Sequence, residues 1–283
     1  MTTTPGAGAA QRRFRAIARP AVRRLWDVEA VGFDRLPVDG PAILCPNHIS
    51  FLDSVLLLAE LPRPVSFVGK AEYMDSALTR RLFPALGMIP IERGNGAKSL
   101  VALDAARTVL ERGELFTIFP EGTRSRDGLL HKGRTGAARL ALQTGIPVYP
   151  VGITGTDAIQ PPGARLPRPG PACRIEVGDP IDPARYSDRP STHVACRSMI
   201  DEVMFEIGRL SGRDYVHRYA GSDDRAAPGS APAPSPTRAA AADAAPADAG
   251  DRARCTTRPG GRDVVVPTPP PGRDDRRLVG AGR

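Results

Sequence analysis

The sequence predicts an α/β fold: a single-domain sandwich with a largely parallel central sheet flanked by helices, preceded by an amphipathic N-terminal helix and followed by a disordered tail. Three observations carry that expectation. Short apolar runs of strand length alternate with longer periodic runs of helical length, which is the pattern of βα units with a parallel sheet. The first 26 residues contain Arg12, Arg13, Arg15, Arg19, Arg23 and Arg24 and no acid. From about residue 218 onward large apolar residues almost vanish, as in Ala-Pro-Gly-Ser-Ala-Pro-Ala-Pro-Ser-Pro at 227–236. Such a composition buries too little surface to offset its ordering entropy. The divisions expected are therefore 1–29, a basic amphipathic segment, 30–217, the folded domain, and 218–283, the tail. With 41% hydrophobic residues overall, the central part has enough apolar side chain for one sizeable core.

Taken in order, Phe14, Ile17, Ala18, Ala21, Val22 and Leu25 follow a helical period, with most of the arginines opposite. This is the pattern of a helix lying in a membrane interface, apolar side down and cations toward anionic head groups. The bland alternative is a surface helix packed on its own domain. Pro20 is expected to kink it or split it in two. Ala42–Cys45 reads as a buried strand and Phe51–Leu61 as a helix closed by Pro62. Val65–Val68 is a strand, Ser76–Leu82 a short helix, Gly87–Ile91 a strand and Ala97–Arg112 a helix ended by Gly113. Leu115–Phe119 is a strand, Gly136–Gln143 a helix ended by Gly145, and Val148–Ile153 a strand. Arg174–Val177 reads as an edge strand and Ser191–Leu210 as the final helix.

The charge is unevenly placed. The net +8 of the chain lies in the N-terminal segment and, to a small extent, in the tail, so that residues 27–220 sum to zero. A nucleic-acid binder is expected to carry a basic face on its folded domain, and a neutral core argues against that class. No stretch reaches the ~18 apolar residues of a spanning helix, so membrane association is expected to be peripheral, on the cytoplasmic face. The recurring arginines and the lack of an apolar h-region exclude a secretory signal. Cys45, Cys173, Cys196 and Cys255 have no CxxC spacing and no clustered His, so neither a zinc site nor a disulfide framework is expected.

Two strand-to-helix turns carry chemistry. The first is Pro46-Asn47-His48-Ile49-Ser50-Phe51-Leu52-Asp53. An imidazole titrates near pH 6.5 and can take a proton from a hydroxyl, while a neighbouring carboxylate fixes its tautomer and stabilises the imidazolium. Turns at the carboxyl ends of parallel strands are where ligands bind in such sheets. The alternative is that Ser50 or Asp53 merely caps the helix. The second is Phe119-Pro120-Glu121-Gly122-Thr123-Arg124-Ser125, which can present backbone N–H groups and a guanidinium fork to an oxyanion or phosphate. Lys70 and Arg93 leave the ends of two other expected strands. Three cations and a His on one rim make a site for an anionic substrate.

Asn47 to Asp53 resembles the NHxxxxD block of the glycerolipid acyltransferases. Gly87–Arg93 resembles their second block, Phe119–Arg124 their FPEGTR block, and Val148–Ile153 their fourth. Specifically, the chain is similar to the 1-acylglycerol-3-phosphate acyltransferases of the PlsC type, over about residues 30–210. The resemblance implies a catalytic domain in which His48 is the general base and Asp53 orients it. The acceptor's free hydroxyl then attacks an acyl thioester. It implies that Arg93 and Arg124 bind the substrate phosphate, with Lys70 as a further candidate, and that Glu121 and Gly122 shape that pocket. It implies lysophosphatidic acid as acceptor, acyl-CoA or acyl carrier protein thioester as co-substrate, and no metal, cofactor or acyl-enzyme intermediate. Pro90 departs from the aromatic residue common in the second block, which bears on acceptor specificity. Gly-x-Ser-x-Gly is absent, so a serine hydrolase is not indicated. Two alternatives remain at this stage, an acyltransferase on another lysolipid and a catalytically silent lipid-binding protein.

Overall fold

The computed structural model of the chain describes residues 7–91, 96–164 and 166–221. All of them fall within one compact unit, Met1–Ala233. The expected tail lies outside the described residues from 222 onward.

Helix α1 (Ala7–Leu25) leads into strand β1 (Asp27–Val31), then β2 (Ala42–Pro46), α2 (Leu52–Glu60), β3 (Val65–Lys70), α3 (Ala77–Ala85), β4 (Met88–Ile91) and α4 (Gly96–Glu111). After these come β5 (Leu115–Thr117), β6 (Leu130–His131), α5 (Gly136–Thr144), β7 (Val148–Thr154), α6 (Thr156–Ile159), β8 (Ala172–Val177), α7 (Thr192–Ser211) and β9 (Tyr215–Val216). Seven strands form one sheet in the order β1-β8-β7-β2-β5-β3-β4, and β6 pairs with β9 in a separate two-stranded ribbon. Strands β7, β2, β5, β3 and β4 run parallel, while β8 runs antiparallel to β7 and carries β1 parallel to itself. The sheet is thus largely parallel, as expected. Arg174–Val177 is not the edge, however: β1, too short and too polar to announce itself, covers it.

Strand alternation divides the core between two faces. Ile43 and Cys45 of β2 join α4, α5 and α7 in one apolar layer, with Phe116, Leu140, Met199 and Val203. Ala42 and Leu44 face the other layer, with α1, α2, Tyr149, Val151 and Ile153. Gly152, on the α7 side of β7, is a close-approach position. A Cβ there would lie 2.5 Å from the Leu210 Cβ and 2.6 Å from the Leu210 carbonyl carbon.

Helix α1 departs from the expectation of an apolar face free for lipid. Phe14, Ala18 and Val22 pack into the second layer with α2. The Gln11 side chain, buried, accepts from the Val65 amide and donates to the carbonyls of Val65 and Leu86. Arg15 donates to the carbonyls of Pro62 and Arg63, and Arg19 and Arg23 pair with Glu60, whose side chain is fully buried. The helix is also one piece, Pro20 lying within it. Long side chains of Gln and Arg let one helix satisfy the exposed ends of β3 and α2, so the packed alternative prevails. What faces outward is Arg12, Arg13, Ala16, Ile17, Ala21 and Arg24.

Candidate active site

Because five strands are parallel, their carboxyl ends, at Pro46, Lys70, Ile91, Thr117 and Thr154, lie on one rim, and the turns that follow them build the site. Asn47 continues the sheet after β2 has ended. Its buried side-chain amide donates to the Ile153 carbonyl at 2.9 Å and accepts from the Ile153 amide at 2.7 Å. His48 is thereby held at the end of a pseudo-strand.

The His48 ring is fixed on several sides. Its Nδ1 lies 2.9 Å from Asp53 Oδ2, and its face stacks on Phe119 with ring centroids 3.9 Å apart. The backbone amide of His48 donates to Glu121 Oε1 at 2.9 Å, and its carbonyl accepts from the Ser125 amide at 2.7 Å. The two motif turns, 73 residues apart in sequence, are one hydrogen-bonded object. Nδ1 donating to the carboxylate leaves Nε2 as the acceptor, the tautomer that a general base needs.

Asp53 is fully buried. Its Oδ2 also accepts from the amides of Ile49 and Ser50 at 2.8 and 2.9 Å, and its Oδ1 from the Thr156 hydroxyl at 2.6 Å. The expected cap is different in detail. Position N-cap is Phe51, without a side-chain bond, and Ser50 Oγ accepts only from the Leu52 amide. Asp53 therefore binds both the His48 ring and the turn before the helix.

Glu121 is buried, and its two oxygens take the amides of His48 and His131. With both oxygens occupied by backbone amides, it ties the His48 turn to β6. Burial pushes its carboxyl up to about 7, against the two amide bonds and the neighbouring His131 and Arg213, which favour the charge. Gly122 has φ +75°, and a Cβ there would lie 2.8 Å from Arg134 Nε, so only glycine fits. Of the turn's amides, that of Gly122 is taken by the Phe119 carbonyl and that of Ser125 by His48. Arg124 is exposed, with no ion pair among the described residues. Lys70 ends β3 beside Ile91 of β4; its side chain, like the whole of Arg93, lies outside the described residues.

Behind the second turn sits another His–Asp pair that sequence reading passed over. His131 Nε2 lies 2.9 Å from Asp127 Oδ1, which also accepts from the Ser125 hydroxyl and the Leu129 amide. Burial pushes the Asp127 carboxyl upward, but these donors outweigh it and hold it at about 2. With His131 buried, this pair stiffens the loop and presents nothing to a substrate.

A parallel sheet whose rim holds a carboxylate-anchored imidazole beside a Gly-containing, Arg-bearing turn is an arrangement able to take a proton from a hydroxyl and to meet an anion. Residues 27–154 match the family model described as Acyltransferase. It is similar to the chloroplastic 1-acyl-sn-glycerol-3-phosphate acyltransferases of Arabidopsis thaliana, 32% identical over 49% of this chain and 39% of that one, and of Brassica napus, 33% identical over 54% and 47%. It therefore spans about half or less of these curated relatives. The mouse 1-acyl-sn-glycerol-3-phosphate acyltransferase alpha is 26% identical over 70% of this chain and 71% of its own. Among solved structures it is similar to the 1-acyl-sn-glycerophosphate acyltransferase PlsC of Thermotoga maritima, with a TM-score of 0.58, 26% identity, and coverage of 71% and 79%.

Proposed function

We propose that this protein transfers a fatty acyl group from an acyl thioester to the free hydroxyl of lysophosphatidic acid, making phosphatidic acid. The observation that carries the reading is the His48 imidazole, anchored through Nδ1 to buried Asp53 with Nε2 left to act as base. The relatives named for 1-acyl-sn-glycerol-3-phosphate support the choice of acceptor.

In this reading Nε2 of His48 takes the hydroxyl proton as the oxygen attacks the thioester carbonyl. The C–O bond forms, the C–S bond breaks, and the leaving thiolate recovers the proton from the imidazolium, which Asp53 stabilises meanwhile. The two substrates supply every atom, so neither a cofactor nor an acyl-enzyme is called for, and acyl-CoA or an acyl carrier protein thioester serves as donor. The acceptor phosphate is assigned to Arg124, exposed in the second turn, together with Lys70 and Arg93. Among the described residues no helix is long and apolar enough to cross a membrane. Contact with an anionic membrane on its cytoplasmic face is assigned to the outward arginines within residues 12–26.

Acyl transfer from labelled acyl-CoA, and from the carrier-protein thioester, to a panel of lysolipids tests the reading, with His48→Ala alongside. Transfer to lysophosphatidic acid falling at least about 10²-fold in the variant is expected for loss of a general base. Activity surviving His48→Ala overturns the mechanism, and transfer only to another lysolipid replaces the acceptor.

A further inference from the structure

Between β7 and the chain's return lies the four-residue helix α6, which neither the motifs nor the function reading uses. Its first residue, Thr156, is completely buried, and its hydroxyl donates to Asp53 Oδ1 at 2.6 Å across 103 residues of sequence. The segment is held in place independently of that bond. Gly155 adopts φ +83° where a Cβ would lie 2.2 Å from the Ala172 carbonyl oxygen, so the turn out of β7 is fitted closely against β8. Asp157 pairs with Arg213 Nη2 at 2.9 Å, and Arg213 Nη1 donates to the Gly128 carbonyl of the loop behind Glu121. Gln160, just after the helix, accepts from the Ser50 hydroxyl at 3.2 Å.

We infer that Thr156 is a positioning residue for catalysis, acting through Asp53. A carboxylate can turn about its Cβ–Cγ bond, and His48 together with two backbone amides all engage Oδ2. With nothing on Oδ1, that crowded oxygen would be held only from one side. The Thr156 hydroxyl pins Oδ1, so that Oδ2 stays aimed at Nδ1 and the imidazole stays aimed at the rim. A hydrogen bond to a charged group contributes more than one between neutral groups, a contribution equivalent to roughly 10- to 100-fold in a rate or equilibrium. Its loss in a fully buried carboxylate also leaves an acceptor position empty. Thr156 touches no substrate in this arrangement, and the inference rests on the proposed role of the His48–Asp53 pair.

The test compares Thr156→Val, close in shape but without the hydroxyl, with Thr156→Ser, which keeps it. Expected is a fall in kcat of roughly 10- to 100-fold for Thr156→Val, taken from the hydrogen-bond figure, with acceptor KM nearly unchanged and most of the loss recovered in Thr156→Ser. A second arm needs no turnover: the proton NMR resonance of His48 Nδ1–H, assigned by its absence in His48→Ala. It should be present in the parent protein and Thr156→Ser and lost or broadened in Thr156→Val. Thr156→Ala removes the same hydroxyl should the Val variant fail to fold. Wild-type kcat, or an unaltered resonance, in the folded variant lacking the hydroxyl overturns the inference. A parent protein inactive on every acceptor overturns the proposed function instead, and the resonance still decides Thr156.

Discussion

Glu121 carries two opposed demands in one side chain. Two backbone amides ask it to be a double acceptor, while burial raises its carboxyl to about 7. An acid whose folded value lies above its ordinary value near 4.5 binds more protons folded than unfolded between those limits, so its contribution to stability declines as pH rises from about 4.5 to about 7. The span corresponds to at most about 3 kcal/mol. Glu121→Gln, which does not titrate, should therefore cost more stability at pH 5 than at pH 8, as read by urea unfolding at both. The reverse trend would show that the amides keep the carboxylate charged. At this scale the sequence displayed the chemistry but not the contacts. His48 and Asp53 could be read from their turn, whereas Glu121 looked like a pocket residue, because nothing in Phe119–Arg124 says that its carboxylate folds back onto residue 48. Thr156 gave no signal at all: a single hydroxyl in a four-residue helix makes no period and completes no motif.

Among the elements, β7 and α7 are the pair most dependent on a missing side chain. Gly152→Ala would drive a methyl into Leu210 backbone as well as side chain, so α7 has to move away from the sheet. A destabilisation of about 1–3 kcal/mol is expected for such overpacking, seen as a lower urea midpoint, and an unchanged midpoint would mean that α7 rides loosely on β7. The helices and the parallel strands were legible because their apolar residues repeat over many positions. Strands β1, β6 and β9 were not, since two to five residues of mixed polarity carry no pattern and depend on their neighbours for pairing. Helix α1 was legible as a helix but not as a packed one. The wheel that shows an apolar stripe cannot say whether lipid or α2 covers it, and Glu60, the residue that decides, lies far along the chain.

For the whole molecule the consequence is a division of the N-terminal charge. Arg15, Arg19 and Arg23 are engaged with α2 and its flanks, leaving Arg12, Arg13 and Arg24 on the outward face with Ile17. Each basic side chain near an anionic surface contributes on the order of 1 kcal/mol. Replacing these three by Gln should reduce partitioning onto phosphatidylglycerol-containing vesicles by about tenfold or more, without lowering thermal stability; full retention would exclude this face as the membrane contact. Adding salt should imitate the substitution, because exposed charges are screened over about 10 Å at 0.1 M.

The bonds that assemble the site also set a condition on its biosynthesis. His48 reaches its partner in the second turn 73 residues later, and Asp53 reaches Thr156 103 residues later, so the surroundings of this local pair are completed only by closing long loops. A chain still being translated can form the β2–α2 turn early, as domains emerge from their N-termini. Until β7 and α6 have left the ribosome, Asn47 lacks its Ile153 partner and Asp53 the Thr156 hydroxyl. Nascent chains stopped between residues 125 and 147 carry the complete NHxxxxD and FPEGTR sequences and yet lack β7 and the Thr156 hydroxyl that meets Asp53.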